Sequence, residues 1–364
     1  MTVTADPAPT VSVVVLAWRL TDELAACLAG LGAQVDAPSF ETVVVDNGAT
    51  DEVRMLLAGR DDVVVVTLDH NAGFGGGCDA GVAAARGRSV VFLNDDASPR
   101  PGWLAALAAR AAQDDHPVAV GSLLIDPDGA VQEAGSRLLA DGGTAQHGRG
   151  LTLEAATSAG LLETRAVDYC SAAALWVDVD AFRRVGGFDE AFFPAYYEDA
   201  DLQLRLRLGG RRVVVEPAAV VDHLSGGSTR SFPHYREFLG LRNGDLFRRR
   251  WADTLASAAA RDAPADQVGD VRAPDLAVGP DDHAVASLPA LADRYVEWLT
   301  ARLDAVEARE EHLAHDFAAL QHHHHEALQR LHATTQHVVH LEEAAARPLT
   351  VRQRLSGRGG DHGG

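Results

Sequence analysis

Short apolar runs alternate with amphipathic segments through the first third of the chain. Four runs are rich in β-branched residues and lack polar alternation, at residues 11–16, 42–45, 63–67 and 90–93. Strands that are apolar on both faces are typical of a parallel sheet covered by helices on both sides. The segments between them have helical spacing and good helix formers, at residues 21–31, 51–58 and 77–86. The pattern therefore predicts a doubly wound α/β fold.

A second block, residues 118–221, mixes strand and helix patterns. We predict strands at residues 121–125, 174–179 and 212–215, the last of them closed by Pro217. Helices are predicted at residues 180–185 and 199–208. With the first block they form one globular domain, residues 11–251, which follows a disordered lead at residues 1–10.

The rest of the chain changes character twice. Residues 252–287 are rich in Ala, Asp, Pro and Gly without a period, which predicts a linker. Residues 288–346 carry apolar residues in a heptad pattern, which predicts a coiled coil that binds a second copy or a partner. Its histidines are most simply a solvated face, and a pH-sensitive seam at His324 is the alternative. Residues 347–364 are predicted to be disordered.

Composition removes several classes of function. The formal net charge of −20 argues against non-specific nucleic-acid binding, which needs basic residues. Three cysteines without a CxxC pair argue against a disulfide framework or a structural zinc site. No apolar run approaches the roughly 20 residues of a membrane helix, and the opening residues lack the basic region of a signal peptide. We therefore expect a cytoplasmic protein.

Polar or small residues follow each of the four strands of the first block, where open parallel sheets bind their ligands. They are Ala17 after the first strand, Asp46 after the second, Asn71 and Gly73 after the third, and Asn94-Asp95-Asp96 after the fourth. Two adjacent acids are costly to bury unless water or a cation solvates them. Mg²⁺ is commonly shared between carboxylates and substrate phosphates. The pattern therefore predicts a nucleotide site with a divalent metal at this edge.

Each cluster also has a simpler interpretation. Asp46-Asn47-Gly48 is typical of a turn, and Asp95-Asp96 of a solvated loop. Residues 75–80 fit G-x-G-x-x-A, the fingerprint of a dinucleotide site. That fingerprint belongs directly after the first strand of its unit, whereas here it follows the third. The order of the clusters at neighbouring strand ends favours the nucleotide-and-metal interpretation.

The second block supplies candidates for the chemical step. An aromatic run ending at Tyr197 leads into Glu198 and Asp199, which open a predicted helix. Acids at a helix N-terminus are ordinary capping residues, but an aromatic ring beside them suits a sugar, and a carboxylate there can take a proton from a hydroxyl. His223 ends a later apolar run, where it is either structural or a metal ligand.

These residues fall in segments that resemble family 2 glycosyltransferases of the GT-A fold, especially the bacterial rhamnosyltransferase-like branch. The resemblance covers about residues 11–250 and rests on six segments in order: VSVVVLAW, VVVDNGATD, NAGFGGGCDAG, VVFLNDDASPRPGWL, VGGFDEAFFPAYYEDADLQLRLRLGGRRV and VVDH. It implies a GT-A domain, α/β with a mostly parallel Rossmann-like sheet and an acceptor-side subdomain. The helical coiled-coil segment follows that domain.

The resemblance implies a role for each candidate. Asp46 would contact the nucleotide base, and Asp95 would lie near the ribose. Asp96 would bind Mg²⁺ or Mn²⁺, with His223 as a further contact to the metal or the diphosphate. Asp199 would be the base of an inverting displacement. Asn94 stands where many members have Asp, and Cys78 and Asp79 stand where relatives often have Asn, at the end of the glycine-rich segment.

The implied activity is transfer of a sugar from a TDP- or UDP-linked donor to a glycan or lipid-linked acceptor in the cell envelope. One alternative is a nucleotidyltransferase, which would need a basic, glycine-rich loop after the first strand, where only Ala17-Trp18-Arg19 stands. Another is a non-catalytic scaffold, against which the intact acids argue. A basic stretch at residues 236–251 is either a helix packed on the core or a site that docks at the inner membrane face.

Overall fold

The computed structural model describes residues 8–207, 210–224, 233–258 and 291–306, with scattered residues between 309 and 336. The chain divides into two compact units, Met1–Asp293 and Arg294–Gly364. In the second unit the described residues up to 306 are helical, and Val296, Leu303 and Val306 of the predicted seam are exposed. The coiled coil, its self-association and the role of His324 stay predictions.

The first block folds as its apolar pattern predicts. Four parallel strands stand in the order β3-β2-β1-β4: β1 Val11–Ala17, β2 Phe40–Asn47, β3 Val64–Leu68 and β4 Ser89–Asn94. The helices between them are α1 Thr21–Gly32, α2 Asp51–Ala58 and α3 Gly73–Ala84. Val13 and Val15 enter one apolar cluster and Val14 the other, on opposite faces of the sheet. Burial on both faces therefore explains the lack of polar alternation in β1, β2 and β4, whereas β3 lies at the end of the sheet and is partly exposed.

The second block extends the same sheet and adds a small subdomain. Its elements are β5 Ala97–Pro99, α4 Trp103–Ala111, β6 Ala119–Ile125, β7 Val131–Glu133, β8 Ser136–Leu138, β9 Thr144–Gln146, α5 Leu153–Ser158, β10 Arg165–Val167, β11 Ala174–Asp178, α6 Val179–Arg184, a 3₁₀ turn at Glu190–Phe192, α7 Glu198–Leu206 and β12 Val213–His223. Strand β11 is antiparallel to both β4 and β6. It thereby places the residues before β11 beside the carboxyl end of β4.

The expected end of one strand, at Pro217, was wrong. Strand β12 does not close at Pro217 but runs on to His223, with a register shift between Glu216 and Val220 against β6. The irregularity takes Pro217 out of the ladder, where its missing N–H would leave a gap. Because the strand resumes and pairs with β5 through residues 221–223, it delivers His223 to the edge that carries the acidic triplet.

The glycine-rich segment is not a loop, as expected, but the beginning of α3, which starts at Gly73 rather than at residue 77. A side chain on Gly77 would meet Leu16 at 2.3 Å, and one on Gly75 would meet Phe188 at 2.8 Å. The glycines therefore let α3 approach β1 and the turn before α7 closely. Gly73 itself has φ +76°, a conformation that side chains disfavour.

The basic stretch lies on α8, Pro233–Arg250, which packs within the first unit through buried Phe247 and is followed by buried Trp251. The Arg250 side chain is 5% exposed and ion-paired with Asp189 and Asp201, both at 2.9 Å. This is the packed helix of the simpler interpretation, and membrane docking stays a hypothesis.

The predicted linker begins with a short helix, α9 Ala252–Leu255, in which Leu255 is buried. Residues 259–287 of that segment lie outside the described residues, as do residues 288–290 of the predicted coiled coil. Within the part of the chain that the structure describes, no helix is long and apolar enough to cross a membrane.

Candidate active site

The predicted strand-end clusters meet at one edge of the sheet, because β1 to β4 are parallel and end side by side. The Trp18 N–H, directly after Ala17, donates to Asp95 Oδ2 at 3.2 Å. Asn47 Nδ2 donates to Asn71 Oδ1 at 3.3 Å and to the Gly73 carbonyl at 3.1 Å. The structure therefore brings Ala17, Asn71, Gly73 and Asp95 to the same edge.

Asp46 lies at this edge, but its carboxylate already has partners. It is 2% exposed, Oδ1 accepts the Ala49 N–H at 2.7 Å, and Oδ2 accepts Arg54 Nε at 2.9 Å. The first bond closes a turn into α2, so Asp46-Asn47-Gly48 forms the turn that is typical of such a segment. A contact with a base would use the remaining lone pairs of the same carboxylate.

The acidic pair after β4 is buried, with Asp95 5% and Asp96 8% exposed. Burial, reinforced by the neighbouring charge of Asp96, raises the pKa of Asp95 to about 8, although the Trp18 N–H opposes this shift. Asp96 Oδ1 lies 3.2 Å from His223 Nε2, so the two predicted metal ligands are adjacent. Among the described residues, no three His, Cys, Asp or Glu side chains converge on one point.

Gln132, on β7, determines how the His223 ring is protonated. Its Nε2 donates to Asp126 Oδ1 at 2.7 Å and to the His223 carbonyl at 3.1 Å, which orients the amide. Gln132 Oε1, which can only accept, lies 2.6 Å from His223 Nδ1, so Nδ1 must carry the hydrogen. In the neutral ring the lone pair then lies on Nε2, which is 3.3 Å from Asn94 Nδ2 and 3.2 Å from Asp96 Oδ1.

Asn94 Nδ2 can donate to that lone pair, and Asp96 Oδ1 lies beside Nε2 as a second acceptor. Adjacent ligands of an octahedral Mg²⁺, with bonds of about 2.1 Å, lie about 3 Å apart. The spacing of Asp96 Oδ1 and His223 Nε2 would therefore suit two ligands of one divalent ion. Sequence reasoning did not identify Gln132, although its polar side chain beside apolar Val131 was a signal.

Asp199 and Glu198 open α7 directly after two tyrosines in the left-handed region, Tyr196 at φ 80° and Tyr197 at φ 72°. Asp199 Oδ1 accepts the Ala200 N–H at 2.8 Å, and burial raises the pKa of Asp199. Burial and then the Asp199 charge raise the pKa of Glu198 well above its ordinary value. A carboxylate with a raised pKa is a better proton acceptor, so Asp199 suits a general base.

A short backbone segment joins Asp199 to the acidic triplet. The Ala172 N–H lies 3.4 Å from Asp199 Oδ2, and the Ala173 carbonyl accepts the Asn94 N–H at 2.9 Å. The preceding N–H, of Ser171, donates to Glu133 Oε1 at 2.7 Å. Residues 171–173 thereby link three residues that are distant in the sequence, Glu133, Asp199 and Asn94.

Glu133 is an acid of this site that sequence reasoning missed. It is 4% exposed, and burial raises its pKa to about 7, with the Asp199 charge adding to the shift and His223 opposing it. Glu133 therefore lies within electrostatic reach of both predicted halves of the site. Only the pairing of β7 with β6 brings it there.

The residues before α7 are fastened by α8. Asn243 is fully buried, and its Nδ2 donates to the carbonyls of Phe192 at 2.8 Å, Ala195 at 2.8 Å and Tyr196 at 3.0 Å. The Tyr197 ring packs on Phe247 of α8, with centroids 5.2 Å apart. Tyr197 was predicted to face an acceptor sugar, and the contact that the structure shows is a packing one.

Comparisons with a family model and with curated proteins show which family this chain resembles. A family model described as Glycosyl transferase family 2 matches residues 12–161. The chain is 30% identical over 226 residues to the N-acetylglucosaminyl-diphospho-decaprenol L-rhamnosyltransferase of Mycobacterium tuberculosis (strain ATCC 25618 / H37Rv), covering 57% of this chain and 73% of that protein. It is 30% identical over 276 residues to the O-antigen biosynthesis protein RfbC of Myxococcus xanthus, covering 71% and 21%.

The fold has a counterpart among solved structures. The crystal structure of GalNAc-T7 with UDP, GalNAc and Mn²⁺ superposes with a TM-score of 0.52 at 16% identity, covering 70% of this chain and 50% of that one. At that identity the likeness shows the fold alone. The matches to three curated relatives span only 28%, 21% and 34% of the lengths of those proteins.

Proposed function

Because this chain belongs to glycosyltransferase family 2 and has the GT-A fold, we propose that it transfers a sugar from a nucleoside-diphosphate sugar to an acceptor hydroxyl, with inversion at the anomeric carbon. One observation carries the proposal. Backbone residues 172 and 173 join the carboxylate of Asp199 to the Asn94-Asp95-Asp96 triplet. A proton acceptor and a metal-and-diphosphate site are thus held side by side.

The donor would lie at the carboxyl edge of β1 to β4. Asp46 would contact the base, Asp95 would lie near the ribose, and the backbone at Ala17, Asn71 and Gly73 would line the nucleotide site. Asp96 and His223 would hold Mg²⁺ or Mn²⁺, which when bound neutralises charge on the diphosphate.

The acceptor hydroxyl would approach from the α7 side. Asp199 takes its proton as the oxygen bonds to the anomeric carbon, and the bond from that carbon to the diphosphate oxygen breaks on the opposite face. The nucleoside diphosphate leaves with the electron pair, so no covalent intermediate on the enzyme is needed. The raised pKa of Asp199 favours this proton transfer. Glu198, buried beside Asp199, would belong to the acceptor side with Tyr197.

The names of the relatives support a narrower proposal about substrates and place. A rhamnosyltransferase and an O-antigen biosynthesis protein are among them, which favours TDP-rhamnose or a UDP-sugar as donor. The acceptor would be a glycan or a lipid-linked sugar of the cell envelope. We place the reaction in the cytoplasm at the inner membrane face, with contact through exposed basic residues of α8 such as Arg249.

A screen of nucleotide sugars for Mn²⁺- or Mg²⁺-dependent binding and slow hydrolysis tests the proposal. Asp199→Asn should keep donor binding while turnover falls by about 10²–10⁴, the usual contribution of a general base. Asp96→Ala should lose metal-dependent binding. Full transfer by Asp199→Asn would remove its role as base. Pyrophosphate release from a nucleoside triphosphate and a sugar phosphate would instead show a nucleotidyltransferase.

A further inference from the structure

Two buried glutamines lie directly behind the two candidate groups of the reaction. We propose that Gln132 and Gln203 are positioning residues, Gln132 for His223 on the donor side and Gln203 for Asp199 on the acceptor side. This inference rests on the proposed function. The two side chains are 4% and 0% exposed, so neither is placed to touch a substrate.

Gln203 fastens α7 to the segment before β11. It lies one helical turn after Asp199, and its Nε2 donates to the Asp199 carbonyl at 3.0 Å and to the Cys170 carbonyl at 2.6 Å. Its Oε1 accepts the Cys170 N–H at 2.9 Å. The amide thus pairs with both backbone groups of Cys170, as a neighbouring strand would.

That pairing controls the surroundings of the Asp199 carboxylate. Cys170 is followed by Ser171 and Ala172, whose N–H groups face Glu133 and Asp199. Without Gln203, two buried backbone groups of Cys170 lose their partners and the segment can shift. Because the same segment binds the backbone of Asn94, a shift changes the distance from base to donor. A displacement of about 1 Å in such a site can cost on the order of 10²-fold in rate.

Gln132 has the corresponding place behind His223. The oxygen and both N–H groups of its amide form hydrogen bonds. The oxygen accepts from His223 Nδ1, and the two N–H groups donate to Asp126 and to the His223 carbonyl. The amide cannot rotate without losing these bonds, so the ring keeps Nε2 on the side of Asn94 and Asp96. Partners that orient a metal-binding histidine in this way commonly contribute about 10–100-fold in metal affinity.

The two roles predict opposite kinetic signatures. If Gln132 acts through His223, its loss weakens binding of the metal and nucleotide and spares the base. If Gln203 acts through Asp199, its loss spares binding and slows the chemical step. A glutamine that merely fills the core would lower both quantities together, so each variant is the matched control of the other.

Gln132→Met and Gln203→Met in the full chain test this, since Met has a similar length and does not donate a hydrogen bond. Binding of Mn²⁺ with UDP, and in parallel with TDP, is measured by calorimetry. Turnover is measured as hydrolysis of the nucleotide sugar that the wild type hydrolyses fastest, over a range of Mn²⁺ concentrations. Thermal unfolding of each variant checks that it is folded.

Gln132→Met should weaken Mn²⁺-dependent nucleotide binding by about tenfold or more, and excess Mn²⁺ should restore turnover to within about threefold of wild type. Gln203→Met should bind the nucleotide within about twofold of wild type, with turnover at least about tenfold lower at every Mn²⁺ concentration. Equal losses of binding and turnover in both variants, or rescue of Gln203→Met by Mn²⁺, would overturn the inference.

A second pair keeps the test decisive if the Met variants do not fold. Each Glu variant keeps the acceptor oxygen and loses both donated bonds. Gln132→Glu should therefore still weaken metal-dependent binding, whereas Gln203→Glu should keep binding and turn over slowly. If these variants do not separate, the inference is wrong. A wild type that binds and hydrolyses no nucleotide sugar refutes the proposed function, and this inference with it. An active wild type with inseparable variants refutes this inference alone.

Discussion

Replacing Asn243 by alanine removes the side chain that holds the turn in front of the candidate base. One amide nitrogen serves the carbonyls of residues 192, 195 and 196, and the Oδ1 of the same side chain accepts Arg242 at 2.6 Å. The turn contains Tyr196 and Tyr197 in left-handed conformations, which cost about 1–3 kcal/mol each and persist only where the surroundings hold them.

The expected loss follows from these contacts. A buried carbonyl that loses its donor costs about 1–3 kcal/mol. One of the three bonds is fully buried and two are partly buried, where water replaces part of the loss. We therefore expect Asn243→Ala to lower the free energy of unfolding by about 3 kcal/mol. For a domain of this size that corresponds to a fall in Tm of about 6–12 °C.

Thermal and urea unfolding measure the loss of stability, and turnover at saturating donor measures the effect on the site. Turnover should fall by about tenfold or more because the released turn leads directly into Asp199. Gln113→Ala is the matched control, since it removes an exposed amide-to-carbonyl bond of 3.2 Å and should cost less than about 0.5 kcal/mol. A loss below about 1 kcal/mol for Asn243→Ala, or a full loss with unchanged turnover, would refute the reasoning.

Three further predictions concern the same unit. Since the folded-state pKa of Glu133 is about 7 against 4.5 ordinarily, ionising it destabilises the fold as pH rises from about 5 to 7. Glu133→Gln should therefore gain more stability over wild type in urea unfolding at pH 8 than at pH 5, and an equal gain would contradict this. Arg250→Met should lose about 3 kcal/mol in the same assay by breaking two buried ion pairs, whereas exposed Arg249→Met should lose less than about 1 kcal/mol. Gly187→Ala should lower Tm by more than Gly186→Ala, because both have positive φ but only the former would meet a carboxylate oxygen on α3 at 2.6 Å; equal shifts would exclude that contact.

Much of the fold could be predicted from the sequence because its signals are local. Apolar runs without alternation mark the four parallel strands, and in β1, β2 and β4 both faces of the strand are covered. Parallel strands end at one edge, so the residues that follow them had to meet, and Trp18, Asn71 and Asp95 do. The glycine-rich segment misled because its glycines serve helix packing, which depends on residues elsewhere in the chain.

Other parts of the site depend on pairings that no local pattern encodes. Antiparallel β11 lies between β4 and β6, and so sets Ala172 and Ala173 between Asp199 and Asn94. The ladder of β12 resumes beyond Pro217 because β5 and β6 supply its partners, and it carries His223 to Asp96.

Gln132, Glu133 and Gln203 are ordinary polar residues in the sequence, but each has a distant partner, 91, 38 and 33 positions away respectively. By itself the sequence determined which residue types stand at the ends of the parallel strands, because periodicity and strand direction act over short stretches of chain. Only the tertiary structure decided which buried amides orient the candidate side chains of the site. A buried polar group must find its hydrogen-bond partner wherever the folded chain supplies one.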